Sequence, residues 1–429
     1  MGSRRLHHDG RVRSAVISLT AVVLVFSALF TAAFIPLEHR LDAPSHGQRS
    51  ATIDLATVRR QTLNGTPRRR VAFIALFLAF ILIMLWLPFR VRLQLTPIVV
   101  ATTAWLGWET CSVLWSVNRP LSLRRLPSWI ITAVVGFLAG AALGVTGCLM
   151  TIALICAVYI VVGVANELLN GARDPEIGYR FAGTLHPNQQ AFNCALLAFS
   201  SCWLGATESI PLGIAIGGMI AGIAGLGLTR SRLAFWASQT AALIAIAVTP
   251  SGSNPDWPVG LAAGIFLSGV AVRNFLDKVP VQDGLGGTLA GIVLFGRTSY
   301  AASLNGRTIL WKLALSDVAP NWIVGQGFGA FWDVRRIDMM EEKTGLRVWV
   351  CHSTPVEIFV RSGAVGTVLF LAAMVAAFIA ALGLHGIASA LLGSLLILIF
   401  LEGLLESFFA LPGYTALFLF LLFGAFAVS

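Results

Sequence analysis

Charge is what this chain has least of. Asp, Glu, Lys and Arg make up 12% of its residues, against roughly 25% in soluble domains. Hydrophobic residues make up 57%, so a soluble enzyme with one large core is excluded and a polytopic membrane protein is implied. The six cysteines, Cys111, Cys148, Cys156, Cys194, Cys202 and Cys351, contain no C-x-x-C pair. A zinc or redox centre is therefore not expected, and the five thiols in apolar segments act as small hydrophobes. No HExxH and no D-x-D pair stands in the long polar stretch described below, so neither metal nor cofactor is expected. The formal charge of +10 comes without a basic helix or RNA-binding motif, which argues against nucleic acid as a partner. The first apolar run, about Ser14 to Leu37, is too long for a signal-peptide core and reads as a first membrane helix.

Apolar segments are abundant. Measured against the about 20 residues needed to cross the hydrocarbon, the candidates are Ser14–Leu37, Val71–Pro88, Thr96–Val117, Ser128–Val145, Gly147–Leu168 and Asn188–Thr207. Ile210–Leu228, Arg230–Val248, Trp257–Val272, Pro355–Leu384, Gly386–Glu406 and Leu411–Val428 follow. The expected fold is one all-α polytopic domain over residues 1–429, with about twelve membrane helices. Between the ninth and tenth lies one long break in apolar character, residues 277–354, in which Gly284–Phe295 is apolar but too short to span. With the basic N-terminus (Arg4, Arg5, Arg11, Arg13) in the cytoplasm, three regions share the outer face. They are the loop ending at Arg180, the helix junction Thr229-Arg230-Ser231-Arg232, and the long loop. Arg90 and Arg92 obey the positive-inside rule, whereas Arg68, Arg69, Arg70, Arg124 and Arg125 fall outside.

Arg180, Asn188, Ser231, Arg232, Arg307 and His352 are the candidate site residues on that face. Ser231 and Arg232 open a helix, where free backbone N–H groups and the dipole favour an anion. Arginine's planar fork suits phosphate, and three arginines from separate elements suit a diphosphate. A histidine beside such a clamp describes a general base for transfer of a group off a phosphate. Trp311 and Trp332 offer faces for sugar stacking, with core packing the competing role. His186 before Pro187 shapes a turn, and Gly325, Gly327 and Gly329 read as a tight turn around Phe328, Phe331 and Trp332. Glu357 and Arg361, four residues apart on one helix, have the spacing of an ion pair and read as support beneath His352. Glu109 lies within an apolar segment and is expected to pair with an arginine of another helix.

In order, these motifs resemble the O-antigen ligase and Wzy-type polysaccharide polymerase family. Arg180, Gly183, Pro187 and Asn188 are similar to its R-x-x-G element with a following P-N, and Ser231-Arg232 to its S-R at a helix start. Gly306-Arg307 through Trp311 resembles G-R-x-x-x-W. Gly325-Gln326-Gly327-Phe328-Gly329-Ala330-Phe331 resembles G-x-G-x-x-x-F. His352 with Glu357 and Gly363 resembles the closing histidine element, and Leu114-Trp115-Ser116 an early one. The chain departs from the pattern at Ser353, where many members carry Asn, and at Pro187, where a basic residue is common. The form of the glycine-containing segments leans toward the exopolysaccharide polymerase branch.

The resemblance implies a GT-C-like helical membrane fold in the bacterial inner membrane, with its active site facing the periplasm. It implies inverting, metal-independent glycosyl transfer from an oligosaccharide on undecaprenyl diphosphate, among membrane lipids. His352, Arg307 and Arg232 would be catalytic, while Arg180, Asn188, Ser231, Trp311 and Trp332 would bind diphosphate or glycan. Glu357 and Ser353 would support them. A chain-length regulator and export machinery are the further partners such a polymerase would have. A ligase passing glycan to lipid A core or another acceptor would use the same donor chemistry. A flippase of lipid-linked sugars is the rival from another class; it calls for internal repeats, of which none is convincing, and for an essential intramembrane acid such as Glu109.

Overall fold

The computed structural model describes residues 19–34, 67–86, 93–170, 179–253, 255–276, 306–344 and 348–428. Their regular structure is entirely helical. The order begins with α1 (Leu19–Phe34), α2 (Pro67–Trp86), α3 (Pro97–Cys111), α4 (Arg119–Asn170) and α5 (Pro187–Ala206). It continues with α6 (Leu212–Thr229), α7 (Arg232–Val248), α8 (Asp256–Leu276), α9 (Arg307–Val318) and α10 (Val334–Thr344). α11 (Thr354–Leu382), α12 (Gly386–Leu405) and α13 (Tyr414–Phe426) complete it. Proline stands in the first turn of α3, α5 and α11, where its missing N–H costs the helix nothing. Arg119–Leu169, Leu212–Thr229, Thr354–Leu382 and Gly386–Leu405 are long and apolar enough to cross a membrane. The chain is thus an all-α membrane protein.

α4 is 52 residues long and would extend about 78 Å if straight. It folds back instead at Gly144, whose φ of 64° lies where a side chain is rarely tolerated. Gly136 and Gly140 in its first limb touch Leu417 and Leu421 of α13. In the second limb, Cys148 donates to the Leu421 carbonyl and Tyr159 stacks on Tyr414. Numbers rise together in one case and oppose each other in the other, so the two limbs run antiparallel along α13. That helix is buried over its whole length, as expected of one that is apolar all round.

The described part of the long loop has a small core of its own. Leu310, Ala314, Val318, Phe331, Trp332, Ile337, Met340 and Cys351 pack together against Val360 of α11. Arg336 ties α10 to α9 through Asp317 at 2.5 Å and lies over the Phe331 ring. Residues 277–305, including the apolar Gly284–Phe295, lie outside the described residues.

A reciprocal exchange of backbone bonds joins this loop to α11. The helix unwinds at Gly363, φ 69° and ψ −168°, which frees carbonyls on one side and N–H groups on the other. Gln326 and Gly327 donate to the Val360 and Arg361 carbonyls, while Ala364 and Val365 donate to Trp322 and Ile323. These four bonds pair backbone groups that the break releases, which helps a break to persist inside an apolar helix. The turn holding Gly325, Gly327 and Gly329 is therefore a docking surface for protein backbone. A Cβ on Gly363 would come within 2.2 Å of the Ile323 carbonyl oxygen. Gly363→Ala should accordingly destabilise the protein by about 2–4 kcal/mol, read as a lowered unfolding midpoint in detergent.

Two of the arginines that the sequence reading placed on the outer face, Arg69 and Arg125, have tasks within this fold. Arg69 donates to the Pro412 carbonyl at 2.8 Å and lies over Phe73. Arg125 donates to the Gly329 carbonyl at 2.5 Å and approaches that of Trp332 at 3.4 Å. Both therefore pin loops at the same end of the helices.

Candidate functional site

The turn before α5 is fixed from beneath. Glu167, near the end of α4, accepts from the Ala182 and Gly183 N–H groups at 2.9 and 2.7 Å and from the Tyr179 hydroxyl at 2.9 Å. Gly183 has φ 59° and presses so closely on Gly163 that a Cβ would lie 2.6 Å from its Cα. His186 caps α5 by accepting from the Asn188 N–H, so it shapes the turn as its position before Pro187 implies. Arg180, held in this turn, donates through Nε to the Thr229 carbonyl at 2.9 Å and through its terminal nitrogen to Asn188 Oδ1 at 3.2 Å. Arg230 closes α6 in the left-handed conformation, φ 50°, which turns the chain into Ser231 and α7. The Ser231 hydroxyl donates to the same Asn188 oxygen at 3.3 Å.

Asn188 then reaches across the molecule, its amide donating to Glu406 Oε1 at 2.9 Å. Glu406, just past the end of α12, is the hub of the site. Arg307, at the first position of α9, donates to Oε1 at 2.6 Å, and His352 Nδ1 stands 3.4 Å from Oε2. Burial alone would push the Glu406 carboxyl up, but the His352 hydrogen bond, the Arg307 charge and Asn188 together hold it below the usual glutamate range. The sign follows directly. A lowered folded-state value means that this stabilisation is complete above the ordinary glutamate value and is lost as pH falls through the lowered one. The cluster is therefore intact at neutral pH.

His352 sits in the left-handed region at φ 50°, an uncommon backbone state for a residue with a side chain. Neighbouring groups hold it there. The Ser353 N–H donates to Ser407 Oγ, and the Thr354 hydroxyl donates to the Glu406 carbonyl. On the other side, the Cys351 N–H donates to Glu357 Oε2 at 2.7 Å, and Trp311 donates to the Cys351 carbonyl at 2.7 Å. With Nδ1 directed at Glu406, Nε2 has no partner among the described residues, and the ring is 37% exposed. Cys351 beside it is fully buried, and burial pushes its thiol well above the usual range, so it is not poised as a nucleophile.

The expected residues thus meet at one place from four separate elements: Arg180 and Asn188, Ser231, Arg307, and His352. Arg232, at the first position of α7 next to Ser231, has no hydrogen-bond or ion-pair partner among the described residues. Trp311 meets the site through its hydrogen bond to the Cys351 carbonyl, next to His352. Trp332 does not line it: it is 3% exposed, and its N–H lies on Glu357 at 2.9 Å, so it presents no face to a sugar. The Ser353 hydroxyl is spent capping α11. Glu357 supports the Cys351–His352 segment, but not as half of an ion pair with Arg361. Trp332 and Cys351 take Glu357, while Arg361 turns to Glu109 at 2.8 Å.

Glu406 is the residue that motif reading missed. An acid at the edge of an apolar run is a functional suspect on principle, and that signal was present in the sequence. No family model matches the chain, and no curated protein matches it, so the case for function rests on the residues and their geometry.

Proposed function

We propose that this chain is an inverting membrane glycosyltransferase. It extends or transfers an oligosaccharide carried on undecaprenyl diphosphate, in the manner of Wzy-type polymerases, at the periplasmic face of the bacterial inner membrane. This reading includes about twelve membrane crossings in a GT-C-like arrangement, with the long loop on the periplasmic side. The observation that carries it is the convergence of Arg180, Asn188, Ser231, Arg307 and His352 through Asn188 and Glu406. Arg232 adds a cation beside them that has no ion-pair partner among the described residues.

Glu406 orients His352 so that Nε2 accepts the proton of an acceptor-sugar hydroxyl. The hydroxyl oxygen attacks the anomeric carbon from the face opposite the diphosphate. The anomeric C–O bond breaks, and its electron pair leaves on the diphosphate. Arg232, with Arg307 and Arg180, compensates that charge in a preorganised way, which is where most catalytic power of such sites originates. Glu109, the acid that a flippase reading would use, is tied to Arg361, Trp105 and Ser362. That arrangement favours an enzyme over a transporter.

The direct test is incubation of the purified protein with a lipid-diphosphate oligosaccharide. A ladder of longer glycans on the lipid supports polymerisation. Transfer of intact glycan to another acceptor would replace it with the ligase reading, and no new glycosidic bond would overturn both. Within that assay, Arg307→Lys keeps the charge but loses the fork that serves Glu406 and the diphosphate together. It should lower the rate by about 10²-fold or more at an unchanged protein level.

A further inference from the structure

The exposed side of α11 continues into the long loop. Val368, Leu371, Val375, Ile379 and Leu382 are all exposed. They recur every three or four residues, so they form one apolar stripe along a helix fit to cross a membrane. On a membrane helix the cover of such a stripe is lipid. One turn before Val368 the stripe reaches Ala364 and Val365. Their N–H groups donate to the Trp322 and Ile323 carbonyls at 2.8 and 3.2 Å. Trp322 and Ile323 are themselves 54% and 51% exposed. The loop thus sets two large apolar residues at the end of a lipid-facing stripe.

Depth follows from length. α11 has 29 residues, and about 20 suffice to cross the hydrocarbon. The part from Gly363 to Leu382 is long enough for that alone, which puts the break, and Trp322 beside it, at the edge of the acyl chains. Three tryptophans meet at this level. Trp108 of α3 donates to the Ser362 carbonyl at 2.9 Å, Trp115 donates to the Val324 carbonyl at 3.0 Å, and their rings lie 5.0 Å apart. Trp322 is the third. Tryptophan is enriched where acyl chains meet headgroups, because its ring is apolar and its N–H polar. The loop from Val318 to Gln326 carries no charge. Farther along, α10 exposes Arg335, Glu342 and Lys343, as a surface in water does.

We propose that the Trp322–Ile323 turn is a membrane anchor. It inserts at the boundary of acyl chains and headgroups, in the leaflet on the site's side, and holds the long loop against the bilayer. The partner is lipid rather than a second protein, because the turn extends a face that a spanning helix already gives to lipid. Part of the long polar break, residues 277–354, then belongs to the membrane surface. The inference goes beyond glycosyl transfer and stands whether or not the site performs it.

Two measurements on the purified protein in phosphatidylcholine vesicles test it. In the first, a nitroxide is attached at Trp322→Cys or Ile323→Cys, with Cys111→Ser removing the exposed native thiol. The same label at Val375→Cys and at Glu342→Cys supplies the lipid and water references. The ratio of collisions with dissolved oxygen to collisions with a water-soluble nickel chelate should stand well above that at Glu342 and at or below that at Val375. A ratio equal to that at Glu342 overturns the proposal. So does exclusion of both reagents, which would mean that protein covers the turn. In the second, the phosphatidylcholine is brominated near the carboxyl end or near the methyl end of its acyl chains. The difference between wild-type and Trp322→Phe emission, which isolates Trp322, should be quenched more by the first lipid than by the second. A difference insensitive to both lipids overturns the proposal.

Discussion

His352→Ala should leave a normally inserted protein that transfers glycan about 10²–10⁴-fold more slowly, the usual worth of a general base. The ring contributes little to the fold. It is 37% exposed, and Glu406 keeps Arg307 and Asn188 when the imidazole is gone. Loss of rate without loss of protein is therefore the expected signature. His352→Gly sharpens the test, because glycine occupies φ 50° freely and removes any doubt that backbone strain is responsible. Imidazole added to that variant should recover part of the rate if the missing group is a base. The measurement is initial rate of glycan transfer, normalised to membrane protein by immunoblot. A variant at near wild-type rate would remove His352 from the mechanism.

The second large effect concerns stability. Arg361 is buried at the centre of a knot that joins α3, α4, α11 and the loop following α12. It pairs with Glu109, donates to the Ala410 carbonyl at 2.5 Å, and lies 5.2 and 4.8 Å from the ring centroids of Trp129 and Phe328. Glu109 accepts in addition from Trp105 at 3.2 Å and Ser362 at 2.9 Å. Removing one charge of such a pair strands the other, at a cost of about 3–5 kcal/mol. Arg361→Met should therefore lower the unfolding midpoint in detergent steeply. Arg361→Met with Glu109→Met should recover much of the loss, since the pair as a whole gains far less than half of it costs. A double variant no more stable than the single one would show that the knot's value lies in Arg361's other contacts.

Much of this was legible in the residues. Hydrophobicity alone located the apolar helices, because a backbone in lipid has few other options. Arg180, Asn188, Ser231, Arg307 and His352 could be grouped because each stands beside a helix end or turn marked by Gly, Pro or Ser. Two kinds of information were not legible. Glu406 was absorbed into the end of a span, since a lone acid after Leu404-Leu405 reads as a boundary until something is seen to converge on it. Partner choice was the other. Glu357 and Arg361 have the spacing of a pair, yet a carboxylate is satisfied by whichever donors packing brings. Here those were Trp332 and the Cys351 N–H, from a loop whose course the sequence does not specify.

The hub also has a place in time. Glu406 follows Arg180, Asn188, Ser231, Arg307 and His352 in chain order, and the loop after Arg307 docks on the break at Gly363, in a helix that follows it. A nascent chain with every upstream helix inserted would therefore still lack the group that orients His352 and anchors Arg307. Truncation after α11 should therefore leave the other members of the cluster present and the cluster unassembled.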